Sequence, residues 1–315
     1  MRAYVIDAFG DTPALREVPV PDPGPGEVQI RVRAAGVNPL DFKTAGGELA
    51  GSGAEFSFPL TLGFDVAGMV TAAGEGADFA VGDEVFGLVW PRSFEHGSFA
   101  EYMTAPRQAA LAHRPDGLDP VAAAALPMTG GTAQSAVDWL GLTEGEKLLV
   151  VGATGGVGSY ALQMATDRGA HVIAVASAAD HAYARSLGAA ETIDHRTTDV
   201  ADAVRAAHPD GIDAVIDLAD DAETVSTRIA PLLRDGGRLL STVFATDPDA
   251  LAARGIRAVN FAYQATGEDM ARLATGVTAG GLRVAETRNY PLASIDEART
   301  ALLNGHVRGK LVITT

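Results

Sequence analysis

The residues with the clearest chemical meaning lie in KLLVVGATGGVGSYALQMA, 147–165, where an apolar run ends in a cluster of glycines and a helical pattern begins at once. In the six-position dinucleotide fingerprint Ala153 takes the first glycine slot, with Thr154 after it. Gly155 takes the second slot, Gly156 and Val157 fill the gap, and Gly158 takes the third. Gly155 would let the backbone approach a pyrophosphate, and Gly158 would let helix and strand pack closely. The helix starting near Gly156 would aim its free amides and the positive end of its dipole at the phosphates. A glycine pattern also describes a ligand-free strand-to-helix turn. The strand before it, the helix after it and a second strand, HVIAVAS at 171–177, favour a bound dinucleotide.

The end of that second strand bears on which dinucleotide binds. An acid there would bond the ribose 2′-hydroxyl and repel a 2′-phosphate. This strand ends instead at Ser177, and the first acid is Asp180. His195 and Arg196 close the next strand and either supply donors to a 2′-phosphate or are ordinary loop polarity. The balance favours NADPH as the cofactor, with Asp180 opposing.

The elements that must position these residues can be read from the texture of the chain. At 315 residues and 47% hydrophobic, it is long enough for about two domains with full cores. Residues 1–122 read as β-rich, with runs such as EVQIRVRAAGV (27–37) and DVAGMVTAAG (65–74) between Pro and Gly punctuation, and PVPDPGPGE (19–27) reads as a loop. From 123 to 265 the pattern is Ala-rich and then alternates strand with helix, which implies a parallel sheet covered by helices, a Rossmann-type doubly wound α/β fold. IDAVIDLA (212–219) and GGRLLSTVFA (236–245) are its later strands. Residues 266–315 return to mixed texture and are expected to pack back on the N-terminal region.

Composition excludes several functions. Lys plus Arg total 24 against 40 Asp plus Glu, and the net charge of -16 disfavours nucleic acid and anionic lipid as partners. Cysteine is absent, which removes disulfides, thiolate nucleophiles and Cys-based metal sites. The seven histidines form no HxxxH or similar local pair, so no metal is expected. No apolar run approaches the length of a membrane span and the start lacks a signal pattern, so a cytoplasmic protein is expected.

Seven motifs, in order and spacing, carry a resemblance over nearly the whole chain: AAGVNPLDFK (34–43), LGFDVAGMV (62–70), VGDEVFG (81–87), GSFAEY (97–102), GATGGVGSYALQMA (152–165), LGA (187–189) and GKLVIT (309–314). The chain resembles the zinc-independent quinone oxidoreductase branch of the medium-chain dehydrogenase/reductase superfamily. The resemblance implies a β-rich GroES-like catalytic domain built from both chain ends, a central cofactor domain, an active-site cleft between them, and a homodimer formed through the cofactor-domain sheet edge near 238–246. Where zinc-dependent members hold catalytic metal, this chain has Asn38 and Phe64, and Leu40 stands at their proton-relay position. The four-cysteine structural zinc lobe is missing.

Without a Lewis acid, a simple alcohol or ketone is a hard substrate, whereas a quinone or α,β-unsaturated carbonyl spreads the incoming charge to a distant oxygen. A small molecule with a conjugated carbonyl is the expected substrate. Asn38 and Thr132 are candidate donors to that oxygen, although Asn38 also reads as a turn residue before Pro39. Asp41 either orients the cofactor side of the cleft or caps a short helix. The resemblance places Val243 and Phe244 along the nicotinamide, where they also read as buried strand residues, and brings Lys310 toward the cofactor, where a surface lysine is the other reading. Trp90, Phe94 and Phe99 form either a substrate wall or core, and the loops 43–58 and 88–97 set specificity. The alternatives are an enoyl thioester reductase, disfavoured by the acidic balance and by the lack of a Tyr between Asn38 and Tyr102, and a cofactor-binding structural or regulatory protein with vestigial activity.

Overall fold

A computed structural model describes every residue except Ser52, Pro91 and Arg92, and only the backbone of Ser93. These positions fall in the two loops expected to set specificity, so that expectation lies partly outside the described residues. The chain divides into two units, Met1–Gly131 with Ala265–Thr315, and Thr132–Gln264. The divisions drawn from texture after residues 122 and 265 fall at 131 and 264 instead, and the first lies inside the helix Pro127–Leu140, where Ala-rich patterning gives no break to read.

The N-terminal stretch of the first unit forms β1 (Arg2–Ile6), β2 (Ala14–Glu17), β3 (Val28–Gly36), helix α1 (Pro39–Ala45), β4 (Glu55–Thr61), β5 (Asp65–Ala73), β6 (Glu84–Leu88), β7 (Ser93–His96), β8 (Tyr102–Ala105) and β9 (Ala110–His113). Helices α2 (Pro120–Ala124) and α3 (Pro127–Leu140) follow. In β3 the alternation of apolar residues with Arg31 and Arg33 puts one face in the core and the arginines outside, as period-two patterning requires.

The second unit begins its sheet with β10 (Lys147–Val151), then α4 (Gly156–Asp167), β11 (His171–Val175), α5 (His181–Ser186), β12 (Glu191–Ile193), α6 (Val200–Ala207) and β13 (Ile212–Asp217). A single turn α7 (Ala222–Thr224), β14 (Leu233–Ser241), α8 (Pro248–Ala252) and β15 (Arg257–Asn260) complete it. The six strands are all parallel, in the order β12-β11-β10-β13-β14-β15. Strands such as KLLVV are apolar on both faces because both are covered, and Leu149, Ile173, Val215 and Leu239 pack on one side with Ala201 and Val204 of α6. The strand order reverses beside β10, which makes its C-terminal end the switch point of the sheet.

The tail adds α9 (Gly267–Thr278), β16 (Thr287–Pro291), α10 (Ile295–Leu303) and β17 (Lys310–Thr314) to the first unit. β17 pairs with β3 in an antiparallel register of Val312 with Gly36, so the return of the C-terminal segment to the N-terminal region is a strand insertion. Among the described residues no helix is long and apolar enough to cross a membrane.

Candidate functional site

In the second unit the candidate cofactor residues lie at the C-terminal ends of the parallel strands. β10 runs into Gly152, Ala153 bonds back to the neighbouring strand through its N–H to Val175 O at 3.2 Å, and Gly155 caps α4 without any side-chain hydrogen bond. The first bond of the helical ladder runs from Ser159 N to Gly155 O at 2.9 Å, so the amides of Gly156, Val157 and Gly158 precede it and face the turn. A Cβ on Gly158 would stand 2.5 Å from both Gly152 O and Ala153 O. Those are backbone atoms that cannot swing aside, and the close packing expected of the third glycine is therefore present. Thr154 is buried, and Ser159 Oγ donates to Gly155 O at 2.7 Å, which locks the turn from inside.

One strand over, β11 ends and Ser177 follows, 8% exposed, its hydroxyl donating to Asp180 Oδ2 at 2.8 Å. Asp180 is therefore pinned and half-buried beside the strand end. β12 stops at Ile193, so His195 and Arg196 do not close that strand; they lie exposed in the turn after it. Asp194 shapes the turn by accepting from Arg196 N at 3.0 Å and Thr197 Oγ1 at 3.2 Å. Val175 pairs with Ile193, which sets the two strand ends side by side.

β14 ends at Ser241, four residues earlier than the apolar pattern suggests. Ser241 Oγ donates to Asp217 Oδ2 at 2.8 Å and accepts from Ala245 N at 3.1 Å, which turns the chain out of the sheet. Val243 and Phe244 are consequently 42% and 62% exposed, and not buried strand residues. Phe244 has φ 61, a left-handed conformation that bulky residues rarely adopt, and strain of that kind clusters at ligand sites. Thr132, in α3, is buried.

The first unit holds a buried polar network. Asn38 caps α1, and Asp41 Oδ2 accepts from its backbone N–H at 2.6 Å. The Asn38 side chain donates to Asp65 Oδ2 at 3.0 Å and to Gly36 O at 3.4 Å, and accepts from Lys310 Nζ at 2.5 Å. Both amide hydrogens of Asn38 are thus committed within the protein, which corrects its reading as a donor to substrate. Lys310 is 2% exposed and also pairs with Asp65 at 3.1 Å, so it is not a surface lysine. The other oxygen of Asp65 accepts from Met128 N at 3.0 Å. A Cβ on Gly36 would meet Asp65 Oδ2 at 2.7 Å, so the network fits only beside a glycine.

Burial pushes the Asp65 carboxyl up, and the Lys310 ammonium with Asn38 and Met128 opposes that. Asp41 is pushed well up by burial, partly offset by the Asn38 amide. Its Oδ1 has no hydrogen-bond partner among the described residues, and it lines a small cavity with Thr44, Leu60, Phe64, Phe94 and His96. Of its two readings the helix cap is realised. Sequence reasoning misses Asp65, although an acid between Phe64 and an apolar strand is a signal that a buried partner must exist.

Around that cavity Phe64 stacks on Trp90 with centroids 5.2 Å apart, and Phe94 meets both rings edge-on at 5.7 Å and 5.2 Å. Trp90 is 42% exposed while Phe94 is 4% exposed. Phe99 is fully buried and lies with Phe42 at 6.5 Å, so it belongs to the core and not to this wall.

Known proteins resemble the chain in sequence and fold. Residues 24–116 match the alcohol dehydrogenase GroES-like domain and residues 187–313 match the zinc-binding dehydrogenase family. A mitochondrial NAD(P)H oxidoreductase of Mus musculus is 31% identical over 99% of this chain and 89% of its own. The chloroplastic NADPH-dependent alkenal/one oxidoreductase of Arabidopsis thaliana is 29% identical over 99% and 79%. The solved quinone oxidoreductase from Coxiella burnetii superposes with a TM-score of 0.88 at 29% identity, over 100% of this chain and 99% of that one. A doubly wound sheet with a glycine turn at its switch point, together with a GroES-like unit, defines the class of nucleotide-dependent oxidoreductases. Within it, the chain belongs to the quinone oxidoreductase branch of the medium-chain dehydrogenase/reductase superfamily.

Two groups implied by that family can be tested against the residues. A dinucleotide fits, because the turn before α4 offers leading amides and carries glycine at 152, 155, 156 and 158. A catalytic zinc does not fit: Phe64 presents a ring, Asn38 is an amide already bonded, and the chain has no cysteine.

Proposed function

We propose that the chain is an NADPH-dependent, zinc-independent reductase of quinones or α,β-unsaturated carbonyls. The observation that carries this reading is the pairing of a retained dinucleotide turn with an aromatic stack, Phe64 on Trp90, where zinc-dependent relatives place a metal ligand. When bound, NADPH supplies a hydride, and a conjugated acceptor moves the resulting charge to its carbonyl oxygen. The amides at the start of α4 would hold the pyrophosphate, and Gly155 would permit its approach. Val243 and Phe244 would lie beside the nicotinamide, and Thr132 would donate to the acceptor oxygen. Asn38 and Lys310 are positioning residues, since their side chains bond each other and Asp65, and Asp41 is one by capping α1 through the Asn38 N–H. Trp90 and Phe94 supply the apolar wall against which a planar conjugated substrate packs. The alkenal and quinone oxidoreductases among the relatives support the same acceptor class.

The test is NADPH oxidation by the purified chain against panels of quinones, enones, enoyl thioesters and simple aldehydes, each with and without a strong chelator. Turnover with a quinone or enone that survives chelation is expected. Activity restricted to enoyl thioesters, or abolished by chelator and restored by zinc, overturns the reading. A chain that binds NADPH but turns over with no acceptor is a vestigial binding protein.

A further inference from the structure

The opposite end of the cofactor sheet, at the start of its strands, carries a cluster that the proposed reaction does not use. His171 opens β11, Glu191 opens β12 and His208 follows the last turn of α6. Glu191 Oε1 lies 2.5 Å from His171 Nε2 and 3.1 Å from His208 Nε2, and one ligand atom from each residue falls within 4.8 Å of the others. The two imidazole rings stand 5.9 Å apart at 70°.

His208 is the informative member. Its side chain is 9% exposed, and its Nε2 is cut off from solvent and faces the Glu191 carboxylate at 3.1 Å. The same Glu191 oxygen also faces His171 Nε2, so two ring nitrogens converge on one carboxylate oxygen. Two imidazoles and a carboxylate form a three-ligand set for zinc, leaving a fourth position for water. Metal–ligand bonds of about 2.0–2.1 Å in a tetrahedron need ligand atoms roughly 3.3 Å apart, so the present spacing becomes a site by movements of less than about an ångström. His171 and Glu191, 40% and 34% exposed, leave a path for the ion to enter. The carbonyl end of α6, which His208 terminates, adds negative potential.

We propose that His171, Glu191 and His208 bind one Zn²⁺. The ligands come from three separate segments, so no local spacing reveals them. His171 and Glu191 sit at the N-terminal ends of parallel strands and His208 at the C-terminal end of α6, away from the strand ends that carry the candidate cofactor residues, so an ion there cannot touch the transferred hydride. Its effect is to tie β11, β12 and α6 together.

The test titrates ZnCl₂ into the chelator-treated, untagged full chain and into His171→Gln, Glu191→Gln and His208→Gln, by calorimetry and by thermal melting. One equivalent is expected to bind the wild type and raise its melting temperature, with affinity falling about tenfold or more in every variant. The two half-exposed positions keep the test valid if the buried His208 variant folds poorly. Absence of a stoichiometric site in the wild type, or wild-type affinity in His171→Gln and Glu191→Gln, overturns the proposal.

Discussion

Gly158 shows how much a single residue discloses through its neighbours in the chain. Its role follows from its place in a strand, turn and helix pattern, and the clash a Cβ would make with two carbonyl oxygens is the physical content of that pattern. Asn38 shows the limit. Its type and position suggest a donor, but donors are defined by what they already bond, and its partners Asp65 and Lys310 lie 27 and 272 residues away. Asp220 is equally unreadable from sequence. It follows β13, where burial first, and then Asp217 and Asp221, push its carboxyl up to about 6. The folded chain therefore holds this proton more tightly than the unfolded one, and stability falls as pH rises from about 4 through about 6. Asp220→Asn removes that loss. We expect the variant to be more stable than wild type by about 1 kcal/mol at pH 7, a figure reduced for the group's partial exposure, with the gain shrinking toward pH 4. Urea unfolding at several pH values measures it, and a constant difference across that range would contradict the assignment.

At the scale of elements, the strands are legible in the sequence and their ends are not. Apolar runs mark where a strand is covered, whereas the stop at Ser241 depends on its hydrogen bond to Asp217 on another strand. The same uncertainty governs cofactor choice, because the deciding groups lie just past β11 and β12. Ser177 is occupied by Asp180, and Asp194 stands beside Arg196, so two carboxylates share an edge with one guanidinium and one imidazole. A direct Arg196 contact to a 2′-phosphate gains a charge-assisted bond, while Asp180 is partly satisfied by the Ser177 hydroxyl. A preference for NADPH over NADH of about tenfold in kcat/KM is expected, equivalent to about 1.4 kcal/mol. Arg196→Ala erodes it and Asp180→Lys enlarges it. Steady-state kinetics with both cofactors checks this, and a preference for NADH in the unmodified chain would refute it.

For the molecule as a whole, the order of the cofactor sheet relocates the surface expected for self-association. β14 is paired on both sides up to Ser241, so residues 238–241 offer no free edge and 242–246 have left the sheet; the outermost strand is β15, Arg257–Asn260, with one side unpaired among the described residues. An unpaired edge invites another strand. We expect a homodimer through β15, with light scattering giving twice the 32.4 kDa of one chain and Val259→Pro shifting the mass toward the monomer. A monomeric mass for the wild type at micromolar concentration would rule it out. The insertion of β17 beside β3 has another consequence, in time. On the ribosome, residues 132–264 emerge as one continuous stretch and can complete their sheet early, while β3 and the Asp65 carboxylate wait for Lys310 to be made. During that interval the nascent N-terminal segment has β3 paired with β5 and β8 but exposes its open edge at 34–36 and an unneutralised acid, so a segment made before the cofactor unit is completed after it, and it is the part a chaperone would have to shield.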